Sequence, residues 1–367
     1  MRAIILSLGL TIASAIAIPA AEAQATDAPQ VENARLEKKA LAGPLAAEVK
    51  AWASKAEQPQ WLGYAVPQMG RDRTMCCGDY GGSRGNGCGH CRLEDREHGT
   101  NMTSKDEVGT TKLEAPRSIA VLYRAENKHV TKIRVVSMEC SLDAGGLPFV
   151  WLSSVKPAES VELLETFVRG TDFDSHDDEQ TSRGALTAIA LHADPAADRA
   201  LESFTRSGEP ESLRKQTAFW LGAAREKAGL AILDKMAKSD PSSEVRAQVT
   251  FGLSVSHEQG AVEEMIRMAH DDQSTHVRGQ ALFWLAHKAG QKAVGAITGA
   301  IDNDPDTDVK KKAVFALSQL PKDEGVPKLI EVAQTNHNRE VRKQAMFWLG
   351  QSHDPRALAF FEKILTQ

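Results

Sequence analysis

LRKQTAFWLG beginning at Leu213, VRAQVTFGLS at Val245, VRGQALFWLA at Val277, VKKKAVFALS at Val309 and VRKQAMFWLG at Val341 follow one another at intervals of 32 residues. Five copies in one register specify a repeat architecture. Another step of 32 residues upstream reaches TSRGALTAIA at Thr181, a sixth copy without the Phe and Trp of the others. A terminal repeat has one neighbour to cover, so an atypical end unit is what stacking requires. Between the copies runs a second apolar register, Leu201, Leu233, Met265, Ile297, Leu329 and Phe361, with Val262, Val294, Val326 and Leu358 three residues earlier. That spacing is helical. Asp194-Pro195 and Asp354-Pro355 precede this second stretch while Asp240-Pro241 and Asp304-Pro305 follow it, so turns separate two helices in each unit. Neither helix of such a hairpin buries its apolar face alone, and the hairpins must stack into an all-α solenoid over residues 181–367.

Each unit also carries an acidic or amide residue six positions before a basic one: Asp240 and Arg246, Asp272 and Arg278, Asp304 and Lys310, Asn336 and Arg342. With this spacing the segment resembles HEAT repeats, specifically the short bacterial type known from phycobilisome lyase subunits. The resemblance spans residues 181–367 and implies a structural Asp/Arg ladder between adjacent repeats, built from those eight residues. Gly208 stands where an acid would precede Arg214, which leaves the first interface without its expected pair. The HEAT-like superfamily also includes deoxyhypusine hydroxylase, whose His-Glu pairs at helix starts hold iron. Here those starts read Val-Arg or Val-Lys, and His257-Glu258 falls between helices, so an iron oxygenase is not expected.

Phe219, Phe251, Phe283, Phe315 and Phe347 form a column of their own. At about 100° per residue it falls nearly opposite the apolar stripe of its helix. In the HEAT-like arrangement this helix lines the concave surface, so the Phe column, with Lys215, Lys311 and Lys343 beside it, faces the hollow of the solenoid and is the candidate partner-binding groove. The alternative is that each Phe tucks between neighbouring helices. In the next column Trp220, Trp284 and Trp348 alternate with Gly252 and Ala316, a large and small pattern that predicts interdigitated core packing.

The preceding half reads differently. Residues 1–23 have the form of an export signal: Arg2, an apolar stretch from Ala3 to Ile18, then Pro19 and Ala21-Glu22-Ala23. No later stretch is long and apolar enough to span a membrane, so an exported chain, periplasmic or secreted, without membrane contact after cleavage is expected. Within 24–60, Val31 to Ala56 is amphipathic and predicted helical, with a break at Gly43-Pro44. Residues 61–156 are rich in β-branched and aromatic runs at Trp61 to Val66, Arg117 to Ala125, His129 to Met138 and Leu147 to Leu152, which predict a small antiparallel sheet with a hairpin at Glu126-Asn127-Lys128. The fold class is thus a helical solenoid preceded by a small α+β, cysteine-containing region. Residues 157–180 supply a capping helix, PAESVELLETFV, and an acidic loop without the ligand spacing of a calcium site.

All five cysteines, Cys76, Cys77, Cys88, Cys91 and Cys140, lie in this region. Export predicts at least one bridge from Cys76 or Cys77 to Cys88, Cys91 or Cys140, adjacent cysteines being poorly placed to pair with each other. Two other chemistries share the segment. Cys88-Gly89-His90-Cys91 spells the CGHC motif of disulfide isomerases, yet no βαβ pattern surrounds it. Cys76, Cys77, Cys88, His90 and Cys91 could together hold zinc, although the first pair lacks the intervening residues of common zinc knuckles. Gly81 to Gly85 spells GxSxG with no strand leading into it, and neither GK[ST] nor HExxH occurs.

Composition limits the partner. With 44 Lys plus Arg against 49 Asp plus Glu, the net charge of -5 gives no attraction to nucleic acid. No complete catalytic constellation is visible and no cofactor is expected, with zinc the alternative. The sequence therefore reads as a non-enzymatic module binding a protein or peptide, against a thiol or metal protein that uses its repeats for recruitment.

Overall fold

The computed structural model describes residues 28–69, 73–77, 91–94, 100–104, 118–138, 140–170, 173, 175 and 178–366. The export signal, Cys88, His90, the Gly81 to Gly85 motif and most of the acidic loop lie outside the described residues. Two short strands, β1 (Val31–Glu32) and β2 (Arg35–Ala40), precede α1 (Leu45–Ala53), followed by β3 (Gln60–Pro67), β4 (Arg73–Cys77), β5 (Cys91–Arg92), β6 (Thr100–Ser104), β7 (Ser118–Glu126), β8 (His129–Ser137), β9 (Leu142–Asp143) and β10 (Pro148–Ser153). The helix predicted over Val31 to Ala56 is thus confined to its second half. RLEKKA at β2 is exposed at every position and pairs in parallel with β10, so ladder hydrogen bonds decide its state rather than an apolar face.

The main sheet has the order β2-β10-β3-β7-β8. It is mixed, not antiparallel throughout, because β10 runs parallel to both of its neighbours. β7 and β8 form the expected hairpin through Asn127 and Lys128, both at positive φ as a two-residue turn demands. Period-two alternation sends Leu62, Tyr64, Val121, Tyr123 and Ile133 to one face, against helices. Trp61, Leu122, Phe149 and Trp151 go to the other, against a layer holding Cys91, Leu93, Cys140 and Leu142.

The helices that follow are α2 (Pro157–Arg169), α3 (Glu179–Leu191), α4 (Pro195–Phe204), α5 (Glu211–Ala224), α6 (Glu226–Ser239), α7 (Ser243–Val255), α8 (Gly260–Asp271), α9 (Thr275–Ala289), α10 (Gln291–Asn303), α11 (Thr307–Ser318), α12 (Lys322–Thr335), α13 (Arg339–Gln351) and α14 (Pro355–Leu365). From α3 onward they form six hairpins, and α2 lies over the first. Asp194 and Asp354 cap α4 and α14 just ahead of a Pro at the first helical position, which explains why the Asp-Pro pairs mark those starts. The odd-numbered helices α5, α7, α9, α11 and α13 pack more closely on one another than their even-numbered partners do. A stack tighter on one side curves toward it, so these helices form the inner, concave layer. One continuous core runs from the sheet through all six hairpins, from Leu45 to Phe360. Among the described residues no helix is long and apolar enough to cross a membrane.

Adjacent repeats are joined by bidentate ion pairs. Arg214 donates to Asp240 at 2.9 and 3.3 Å, Arg246 to Asp272 at 2.8 and 3.0 Å, and Arg278 to Asp304 at 2.7 and 3.0 Å. Each carboxylate therefore meets the basic residue 26 positions before it, while the residue six positions ahead offers its backbone carbonyl: Arg246 donates to that of Asp240, and Arg278 to that of Asp272, both at 2.8 Å. This corrects the expectation from Gly208, since Asp240 supplies the acid for Arg214 and the first ladder interface is intact. The ladder stops further on. Lys310 donates to the Asp302 carbonyl at 2.7 Å, Asn336 accepts from the Asn338 N–H at 2.9 Å, and Arg342 reaches only loop carbonyls. A lysine has no planar fork with which to hold a facing side chain at two points.

Asp272→Ala leaves Arg246 without its anion and Ser274 without its cap, and is expected to cost about 3 kcal/mol in urea unfolding. Asp272→Asn should retain the turn and lose less, and Arg246→Met with Asp272→Leu should recover most of the loss.

Candidate functional site

On the concave layer the Phe and Trp columns merge. Phe219 meets Trp220 edge-on at 5.1 Å and stacks on Phe251 at 5.6 Å; Phe251 meets Trp284 at 4.7 Å. Trp284 contacts Phe283 at 4.9 Å, Phe283 stacks on Phe315 at 6.0 Å, and Phe315 meets Trp348, which contacts Phe347 at 5.0 Å. Eight rings thus form an unbroken ribbon over five repeats. The first four Phe rings and all three Trp rings are half-buried, and Phe347 is 53% exposed. Phe219, Phe251, Phe283 and Phe315 each lean on a ring of a neighbouring helix and stay half-buried, whereas Phe347 meets only Trp348 of its own helix. The Trp residues are not sealed in the core, as their alternation with small residues had suggested. The small residues serve backbone approach instead. A Cβ on Gly222 would run into the Gly252 carbonyl and one on Gly252 into the Ala218 carbonyl, so α5 and α7 touch through backbone and leave no room for a Trp at position 252.

The groove lysines are neutralised on their own helices. Lys215 lies 3.7 Å from Glu211, Lys311 2.8 Å from Asp308 and Lys343 2.9 Å from Glu340. The hydrogen bond from Lys343 holds Glu340 below the usual carboxylate range. A depression of about 260 Å³ opens between α5, α7 and α9, lined by Lys215, Glu244, Gln248, Phe251, His276, Gln280 and Trp284 among others. It reveals a column that the sequence analysis passed over. Gln216, Gln248, Gln280 and Gln344 recur in the 32-residue register three residues before the Phe, half-exposed, with Lys312 in the fourth place. None of the four Gln amides makes a hydrogen bond among the described residues. The signal was visible as the Q of LRKQTAF, VRAQVTF, VRGQALF and VRKQAMF.

In the sheet layer Cys91 and Cys140 are disulfide-bonded and fully buried. Cys76 and Cys77 fall on β4, which pairs with β6. Between the sheet and the first hairpin lies a buried polar chain that no motif announced. Tyr123 and Tyr64 hydroxyls are 2.8 Å apart, Tyr64 is 2.7 Å from Ser160 Oγ, and Ser160 is 2.8 Å from His192 Nε2. The carbonyl of Ala188 can only accept, so His192 Nδ1, 2.6 Å away, carries the proton and Nε2 accepts from Ser160. The Ser and His have the contact of a nucleophile and base, yet all four side chains are sealed from solvent. Burial pushes His192 down to about 4 and Tyr64 up to about 12. Arg225 locks the same junction, donating to the His192 carbonyl at 2.6 Å and to Asp198 at 2.8 Å.

The stacked helical hairpins match one family model: residues 262–347 and 296–367 fit that of HEAT repeats. Over these residues the hairpins are HEAT repeats. No curated protein matches the chain. Solved structures similar to this HEAT solenoid include the protein YibA of Escherichia coli, 22% identical over 58% of this chain and 81% of that one, with a TM-score of 0.35. Human deoxyhypusine hydroxylase in complex with glycerol is 16% identical over 56% of this chain and 90% of that one, with a TM-score of 0.29. The complex of CpcE and CpcF of phycocyanin lyase from Nostoc sp. PCC7120 gives 14% over 56% and 81%, with a TM-score of 0.28.

The buried histidine makes a prediction about acid. Its folded value, about 4, lies below the ordinary 6.5, so between these limits the unfolded chain takes a proton that the folded chain refuses. Its contribution is complete above pH 6.5 and is lost as pH falls toward 4, amounting to about 3 kcal/mol. Urea unfolding at pH 7 and pH 4.5 should show this decline in the native chain and a shallower one in His192→Gln.

Proposed function

We propose that the chain is an exported scaffold that holds a protein or peptide in the concave groove of its HEAT solenoid. The aromatic ribbon carries this reading. Rings that served folding alone would be sealed, whereas these are held in place by their neighbours and keep a face to solvent across five repeats. Large aromatic side chains presented in this way are effective anchors in an interface. The lysines beside them are already paired, so the attraction is apolar and hydrogen-bonding rather than electrostatic. In this reading residues 1–23 serve as an export signal and the mature chain works in the periplasm or medium. Disulfide-bonded Cys91 and Cys140 are in keeping with an oxidising compartment, and as disulfide sulfurs they are not thiolate ligands. The reading invokes no cofactor, nucleic acid or membrane contact.

Phe283→Ser is expected to cost about 1–2 kcal/mol, less than the about 3–5 kcal/mol of a sealed Phe, and to reduce recovery of species bound by affinity capture in the native compartment. A loss of core size with capture unchanged would show that the ring serves folding. N-terminal sequencing of the exported chain should begin at Gln24, and non-reducing peptide mapping should find Cys91 and Cys140 in disulfides; free thiols with stoichiometric zinc would replace the scaffold by the metal reading.

A further inference from the structure

Resting on the groove assignment above, we infer that its occupant is a segment in the polyproline II conformation, neutral apart from one acidic side chain. Four features of the groove select it. The first is its period. Packed helices stand about 8–10 Å apart, and the backbone contact at Gly222 and Gly252 keeps α5 and α7 at the close end of that range. A polyproline II chain brings the same face round every three residues, about 9 Å at about 3.1 Å per residue. A strand repeats in about 6.8 Å and falls out of step, and an α-helix, which returns to one face only every seven residues or about 10.5 Å, has its carbonyls taken up by its own N–H groups.

The second feature is hydrogen bonding. Polyproline II has no internal hydrogen bonds and leaves its carbonyls free to accept. The amides of Gln216, Gln248, Gln280 and Gln344 stand in one column along the groove, each with two N–H donors and without a partner among the described residues. The third is apolar contact: the rings of Phe219, Phe251, Phe283 and Phe315 alternate with these amides and offer the aromatic walls against which pyrrolidine rings pack.

The fourth is charge. Lys215, Lys311 and Lys343 are paired on their own helices, whereas Lys312, exposed and standing in the Gln column, forms no ion pair among the described residues. Its stem lies across Gly279 of α9, where any side chain would displace it, which sets the ammonium over the groove floor. One cation among neutral amides matches one carboxylate in the ligand. The direction of growth is also set. In the first repeat the Gln column is occupied by Gly184, pressed against the Ile133 carbonyl of β8, so the column is closed there and begins at α5. Four steps of three residues carry a ligand from α5 to α13, about 13 residues in length.

The test is a titration of the full chain with a 15-residue peptide that has Pro at every third position, Ala and Ser elsewhere and one central Asp, read by tryptophan fluorescence. Saturable binding is expected. Gln248→Leu with Gln280→Leu should weaken it about tenfold through two lost hydrogen bonds, with thermal unfolding unchanged. Lys312→Gln should weaken the Asp peptide and leave an Ala counterpart unaffected. Failure of the Pro peptide to bind, or binding indifferent to the Gln pair, overturns the inference. If a peptide of alternating Thr and Val binds instead, and Phe283→Ser abolishes that binding, the groove assignment survives without the polyproline occupant. Binding of either peptide undiminished in Phe283→Ser removes both.

Discussion

A guanidinium held at two points by the carboxylate of the following loop sets the geometry of this molecule. Arg214 with Asp240, Arg246 with Asp272 and Arg278 with Asp304 each fix one inner helix against the next. Because the same carboxylates accept backbone N–H groups at the starts of α7, α9 and α11, the position of each helix start is tied to the side chain that docks it. Two further consequences follow. The inner helices stay in register, so residues one repeat apart come to lie side by side. The aromatic column then closes into a ribbon without any ring needing contacts of its own choosing. The arrangement resembles a ruler more than a glue, since a bidentate pair is stringent about angle and modest in net stabilisation.

The N-terminal sheet is not an appendage to this ruler. Its helix-facing residues belong to the same core as the repeats. At the seam, Tyr123, Tyr64, Ser160 and His192 pass hydrogen bonds in one direction to a main-chain carbonyl, which leaves the polar atoms of these four side chains satisfied. A fully satisfied polar chain in a dry interface tolerates one relative placement of its elements and penalises others. The sheet therefore acts as a fixed end-plate, and β8 covers the first repeat where the groove would otherwise continue.

The strict 32-residue register made the solenoid legible, and period-two runs revealed the strands at Trp61 to Val66, Arg117 to Ala125 and His129 to Met138. Each of these patterns is a local response to one buried face. The missed features depend on relations between distant segments. RLEKKA has no apolar face, and only pairing with β10 makes it a strand. The ladder joins residues 26 apart rather than six, because spacing within a loop does not tell which neighbour a side chain will meet. The Ser160 and His192 contact spans 32 residues and follows no motif. Angles on one helix describe the Phe column only with respect to its own axis and could not show that adjacent rings would stack across helices. The Gln column was visible in the repeats but passed over, since a single amide per helix looks like ordinary surface.

The alternation of Trp220, Gly252, Trp284, Ala316 and Trp348 means that the true structural period is a pair of hairpins. A repeat with Trp is followed by one with a small residue whose Phe meets the Trp of the repeat after it, and the pattern then begins again. An array of this kind lengthens or shortens coherently only by units of two. Insertion or deletion of a single hairpin would preserve the ladder, the helices and the hydrophobic core, yet would set two Trp or two small residues side by side and interrupt the ribbon at that seam. Parity, rather than length, is the quantity that selection on the groove would conserve.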